Sequence, residues 1–317
     1  MFNEEQKNKY LNSIGNDEDK NVLGVKSLFN NLATIEKEAD VDICKFDKEM
    51  VIDALAQISG RKKSTKSWNL TTLKDYLDWC MINMYTDQNE LVGVSYTDID
   101  TSKAIRCETI PNIEYLRRII EIGFPEINDD DVSINTIARL FALLLYSGLT
   151  KDEIVDITKD ETKVDENSIL KYNNKEIYIH PFVNKYIEKV LPADSIILER
   201  FGEEQYSKLL PSGKLIGCMR ALDNRQRQFY NMIVKLNKLY QYNTGKYIRL
   251  TANRIYESGV YYRMLQSELD DGKVDENIIR VAFGVTEEKY TTPRIYSMQK
   301  HAVKTDYESW KKAWNYE

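Results

Sequence analysis

The residues with the clearest chemical capacity are cations gathered in one stretch. Between Lys214 and Arg263 stand Lys214, Arg220, Arg225, Arg227, Lys235, Lys238, Lys246, Arg249, Arg254 and Arg263, against only two acids, Asp223 and Glu257. The window carries +8 in a chain of 317 residues whose net charge is −6, so everything outside it sums to −14. Salt screens exposed charges beyond about 8–10 Å, and docking to a polyanion therefore follows the local field and not the average. Tyr230, Tyr240, Tyr242, Tyr247, Tyr256, Tyr261 and Tyr262 interleave with the cations, and their hydroxyls and rings suit phosphates and sugars. A second cluster, Arg61-Lys62-Lys63-Ser64-Thr65-Lys66, places four positive charges in six residues. Arg225, Arg227, Arg249 and Arg254 are the strongest candidates for DNA, because a guanidinium bridges phosphates or reads a guanine edge bidentately. Arg61, Lys62, Lys63 and Lys66 suit the positioning role of phosphate contacts.

Other chemistries find little material. The four cysteines, Cys44, Cys80, Cys107 and Cys218, form no CxxC pair, so neither a metal site nor a dithiol is expected. His180 and His301 are the two histidines, too few for a His-rich metal site; the first reads as structural, at a strand end before Pro181, and the second as exposed. Asn128-Asp-Asp-Asp131 lacks the glycine and distant glutamate of a calcium loop and reads as capping a helix that begins near Ser133. No cofactor and no metal are implied. The chain has no run of 18 apolar residues and no basic-then-apolar leader, so a soluble, cytoplasmic protein without a membrane partner is expected.

The elements that must position these cations are mainly helical. Leu23, Val25, Leu28, Phe29 and Leu32 recur at helical spacing, as do Met50, Val51, Ala54, Leu55 and Ile58 before Gly60. Trp68, Leu70, Leu73, Tyr76, Leu77, Cys80, Met81 and Met84 predict a long helix from about Ser67 to Met84, with the basic cluster at its N-terminus, where backbone donors favour a phosphate. Residues 86–111 lack sustained periodicity, which places the connection between two domains, 1–105 and 106–317, near 98–111. Ile113 to Ile120 form a further helix, and Ile134 to Leu145 one that is apolar nearly all round and so buried. Thr150-Lys-Asp-Glu153 is a capping box. Asn167 to Ile179 reads as a hairpin turning at Asn173-Asn174, after which helices dominate to the end. The fold class expected is mainly α with a small β-sheet.

The stretch from Ala138 to Ile157, the hairpin, and Ile179 to Ile187 closely resemble the first half of a tyrosine-recombinase (phage-integrase) catalytic domain. Residues 46–84, with the basic cluster and the Leu-Lys-Asp-Tyr-Leu-Asp-Trp-Cys run, resemble the family's helical core-binding domain; residues 244–263 and 281–296 resemble its later boxes. The resemblance implies a tyrosine-recombinase fold, a core-binding domain followed by an α+β catalytic-like domain, clamped on duplex DNA. It also implies a tyrosine nucleophile, two arginines on the phosphate, and a lysine and histidines for proton transfer. The chain departs from this set. Gly148-Leu149-Thr150 replaces Gly-Leu-Arg, and a hydroxyl cannot act as a cationic fork; loss of one such contact costs roughly 10²–10³ in rate. The second box aligns on Lys246-Tyr247-Ile248-Arg249, with Gly259 closing the next helix, so that Lys246 stands for histidine while Arg249 persists. Val285 follows Gly284 where histidine is expected, Tyr296 falls near the nucleophile position, and the hairpin lysine is Lys171 or Lys175.

A retained scaffold and retained cations around a degenerate centre lead to one expectation: a sequence-specific duplex-DNA-binding repressor that maintains phage lysogeny, without cleavage. Its partners would be operator elements and an antagonist protein at induction. The alternatives are an active recombinase with diverged boxes and a helical protein-interaction scaffold. Met298 to Trp314, with Tyr307, Trp310 and Trp314 at helical spacing, packs either on its own chain or, as the resemblance implies, on a neighbouring copy.

Overall fold

The structure, a computed structural model, describes residues 1–16, 18–59, 63–126, 131–173, 175–200, 203–210, 212–217, 225–285, 288 and 292–316. By packing, the chain divides into Met1–Arg106 with Glu308–Glu317, and Cys107–Tyr307. Among the described residues it is mainly helical with two small antiparallel sheets, and no helix there is long and apolar enough to cross a membrane.

The first unit is built on α1 (Glu4–Ile14), α2 (Lys20–Ala39), α3 (Lys48–Ile58) and α4 (Lys63–Ile82). Asp19 and Asp47 cap α2 and α3 by accepting backbone N–H bonds, which satisfies donors that a helix start leaves orphaned. Tyr10, Phe29, Tyr76 and Trp79 pack edge-on and stacked at the centre. Beside them lies a buried ion pair: Lys7 Nζ is 2.5 Å from Glu36 and 3.5 Å from Asp42, and the Lys7 and Glu36 side chains are fully buried. Glu36 also accepts from Ile43 N at 2.9 Å, and Asp42 accepts from Tyr76, which itself accepts from Gln6. Burial pushes the Glu36 carboxyl above its ordinary value, against the pull of the Lys7 ammonium.

The helical stripes expected here hold in type but not in every position. Leu23, Met50, Trp68, Met81 and Met84 are exposed and Val22 is buried. Helix α4 begins one turn earlier than Ser67 and ends at Ile82, with Met84 at φ 59°. The connecting stretch contains a single turn at Tyr96–Asp98 and α5 (Ser102–Glu108), too short for periodicity to register, and the division between units falls inside α5.

The second unit forms around α7 (Ile134–Ser147), which follows α6 (Ile113–Gly123). Ser133 caps α7 in a reciprocal box with Thr136, so the cap is the serine itself; of the acidic run ahead of it, residues 128–130 lie outside the described residues. Its residues from Thr136 to Ser147 are all buried, as the all-round apolar pattern predicts. After α8 (Lys151–Asp156), strands β1 (Ile169–Tyr172) and β2 (Lys175–Tyr178) pair antiparallel, with Asn173 in the left-handed conformation at the turn. His180 caps α9 (Pro181–Val190), its Nδ1 accepting from Phe182 N at 3.2 Å.

Helices do not then run unbroken to the end. Strands β3 (Ser195–Arg200) and β4 (Glu203–Lys208) form a second hairpin, anchored where Ile197 N donates to Val132 O at 2.9 Å. The remaining helices are α10 (Arg225–Thr244), α11 (Ala252–Asp271), α12 (Glu276–Phe283) and α13 (Pro293–Ala313). Gly259 does not end a helix. It lies in the middle of α11, and a Cβ there would sit 1.8 Å from the Tyr146 carbonyl oxygen of α7. The helix continues to Gly272 at φ 69°, because the missing side chain serves close approach and not termination.

On α13, Tyr307 and Trp310 are buried within the chain, and Trp310 stacks on Tyr316 at 5.3 Å.

Replacing Lys7 by methionine leaves the Glu36 charge buried and unpaired, so Lys7→Met should destabilise by about 3–5 kcal/mol. The double change with Glu36→Leu should recover most of that loss in urea denaturation.

Candidate nucleic-acid interface

Helix α10 separates apolar and cationic positions by helical spacing. Phe229, Met232, Ile233, Leu236 and Tyr240 are buried, with Phe229 stacked on Phe141 of α7 at 4.0 Å. Arg227, Lys235 and Lys238 are exposed, and so are Tyr230 and Tyr242. The segment from Gly245 to Leu250 is held at both ends: Gly245 N donates to Gln241 O at 2.8 Å, and at the far end Asn237 exchanges hydrogen bonds with the Leu250 backbone at 2.9 and 3.1 Å while Arg249 N donates to Cys107 O at 2.8 Å. Ile248 and Leu250 are buried, which turns Lys246, Tyr247 and Arg249 outward.

Two of the candidate arginines converge on one carboxylate. Glu108, nearly buried at the end of α5, pairs with Arg249 and lies 3.6 Å from Arg254 Nε. Arg254, in the first turn of α11, also pairs with Glu257 at 2.9 Å. Arg249 is 58% exposed and Arg254 24%, so Arg249 presents its fork to solvent more fully. Nothing in the sequence around Glu108 marks it for this role; the 141 residues separating it from Arg249 put the pairing beyond any local pattern.

Arg263 is not at the surface with the others. Its Nη1 donates to the carbonyls of Tyr146 and Ser147 at 2.9 and 3.0 Å, serving the C-terminus of α7, where a helix leaves acceptors unsatisfied and favours positive charge. Nη2 would lie 3.1 Å from a Cβ at Gly148, so the glycine at that place makes room for the guanidinium. Lys66 also differs from expectation: it is partly buried in the first turn of α4 and donates to Ile99 O at 3.3 Å, with burial pulling its pKa down. Arg61, Lys62 and Arg220 lie outside the described residues, as do the side chains of Lys63 and Arg225.

The positions matching the recombinase boxes are placed as follows. Thr150 caps α8, accepting from Glu153 N at 3.3 Å while its own N–H donates to Glu153 at 2.8 Å. The hairpin lysine near it is Lys175, whose Nζ lies 2.9 Å from that same Glu153 oxygen; Lys171 is exposed and pairs with Glu176. Lys246 and Arg249 precede α11 and do not sit on it. Val285 is buried just past α12, and Tyr296 lies in the first turn of α13 with the Lys300 ammonium 5.9 Å from its ring centroid. Among the described residues no group of three His, Cys, Asp or Glu side chains gathers to hold a metal ion.

Compared with known proteins, residues 1–82 match the family described as MrpR, N-terminal core-binding domain. No curated protein matches the sequence. Solved structures that match include a lambda integrase dimer bound to a COC′ core site, at 9% identity over 94% of this chain and 76% of that one, with a TM-score of 0.35. A lambda integrase(75–356) dimer on the same site matches at 8% identity over 94% of this chain and 95% of that one, with a TM-score of 0.33.

Gly259→Ala should force α11 off α7 and cost about 3 kcal/mol. Thr150→Ala should cost only about 1 kcal/mol, the usual value of an N-cap. Urea denaturation followed by circular dichroism measures both.

Proposed function

We propose that this chain is a sequence-specific duplex-DNA-binding repressor on a tyrosine-recombinase scaffold that does not cleave. The observation that carries the reading is the outward face of α10 and the segment after it, where Arg227, Lys235, Lys238, Lys246 and Arg249 stand exposed among Tyr230, Tyr242 and Tyr247. Such a face releases counterions from a phosphate backbone and supplies donors that fix register on it. The match of residues 1–82 to a core-binding domain supports the same reading for the first unit. Loss of cleavage is supported by Thr150, whose hydroxyl is committed to a helix cap, and by the buried, apolar Val285. In its combination of recombinase-like boxes and missing catalytic groups, the chain resembles the lysogeny repressor of SPβ-like temperate phages; operator elements are the partner we assign to it. Release by an antagonist protein and self-association through α13 belong to the same proposal, the second requiring Tyr307 and Trp310 to leave their present packing.

Native and denaturing gels run side by side on intergenic fragments of the phage genome test this reading. A specific shift should vanish in denaturant, survive Tyr296→Phe and weaken about tenfold with Arg249→Ala. A denaturant-resistant adduct that depends on Tyr296 would make the chain an active recombinase instead.

Glu108 draws on the same surface. Glu108→Gln removes the charge that holds Arg249 and Arg254, so affinity for duplex DNA should rise. The dependence of log K on log salt should steepen by about 0.9 for each additional phosphate neutralised, as a filter-binding series across salt concentrations would measure.

A further inference from the structure

A cavity of about 510 Å³ opens in the second unit beside the C-terminus of α7. One of its walls is apolar, formed by Ile177 of β2, Tyr256 of α11, and Ile278 and Val281 of α12, and the rest of its lining is polar. Tyr256 is a neutral part of that wall, because its hydroxyl donates to Ala282 O at 2.6 Å and burial pushes its pKa up to about 12. The volume falls within the range of small-molecule sites, roughly 300–1,000 Å³.

The charge in this cavity is unbalanced. Lys175, Glu176 and Arg263 line it, but Lys175 is neutralised by Glu153 at 2.8 Å and Glu176 is paired with Lys171 at 3.4 Å. Arg263 has two backbone carbonyls on Nη1 and, among the described residues, no carboxylate partner and no hydrogen bond on Nη2 or Nε. Partial burial strips some of the water from this guanidinium, yet arginine does not give up its proton in a protein. The C-terminal dipole of α7 offsets only about half a charge. A partly desolvated cation with free donors, next to an apolar wall in a cavity, is the arrangement that a small organic anion completes.

We propose that this cavity binds a small monoanionic carboxylate, whose oxygens take the free edge of Arg263 and whose apolar body lies against Ile177, Tyr256 and Ile278. One uncompensated cation selects a single negative charge, and the apolar wall selects a hydrocarbon or aromatic body over a bare inorganic ion. The proposal does not rest on the DNA-binding reading, since no residue of the site belongs to the exposed face of α10.

Thermal unfolding and saturation-transfer NMR of the full chain, at constant ionic strength, test it with benzoate, its uncharged isostere benzamide, and inorganic phosphate. Benzoate should bind saturably with a Kd at or below about 10 mM, the weakest value expected for a ligand of its size, and should raise Tm with concentration. Benzamide and phosphate should bind at least tenfold more weakly. Ile278→Trp fills the cavity while leaving the bonds from Arg263 to α7 in place, and should abolish the benzoate effect; Arg263→Lys, which keeps the charge but loses the fork, should weaken it. Equal binding of benzoate and benzamide, phosphate binding as tight as benzoate, absence of saturation, or full benzoate binding in Ile278→Trp would each overturn the proposal.

Discussion

The second unit depends on how closely α11 can approach α7. At the crossing, Gly259 presents only hydrogens to the Tyr146 carbonyl, at a separation no side chain could share. That approach brings Arg263, one turn further along, onto the carbonyls of Tyr146 and Ser147. Gly148 in turn leaves room for the guanidinium, and Thr150 begins α8 directly afterwards. The turn after α7 is therefore braced by an arginine from a neighbouring helix, whose Nη1 faces the helix end. Interiors packed to near-crystalline density transmit such constraints, so the placement of α8, the β1–β2 hairpin and the cavity beside them follows from a single missing methyl group.

Carboxylates decide which cations remain free. Glu108 gathers Arg249 and Arg254, Glu153 takes Lys175, and Glu36 with Asp42 buries Lys7. These pairings differ in exposure, and that sets their consequences. A buried pair such as Lys7 with Glu36 is costly to break because the survivor is left in a medium of low dielectric. In the Arg249 pair only the arginine is exposed, while Glu108 is nearly buried. The acid thus holds Arg249 and Arg254 in place without withdrawing Arg249 from the surface.

Periodicity and capping chemistry made much of the fold legible in advance. The helices from Val25 to Leu32, Val51 to Leu55 and Ile137 to Leu145, the Thr150–Glu153 box and the turn at Asn173 are local features, each encoded within one or two turns of chain, and each is present. The β3–β4 hairpin was not legible, because its six-residue strands alternate weakly and are anchored through Val132, more than sixty positions away. The surplus of charge between residues 214 and 263 was equally plain, whereas the face of α10 on which Arg227, Lys235 and Lys238 emerge came only with the structure.

What the sequence by itself determined was the inventory: helical class, the caps, the concentration of cations and the absence of arginine after Gly148-Leu149. Only the tertiary structure decided which of those cations faces water. Arg263 and Lys66 belong to the same counts as Arg249 and Lys246, yet they turn inward to backbone carbonyls, while the other two face water. Composition records charge along the chain, whereas hydration and counter-charge depend on neighbours brought together from distant positions, and it is those neighbours that separate an exposed cation from one turned inward.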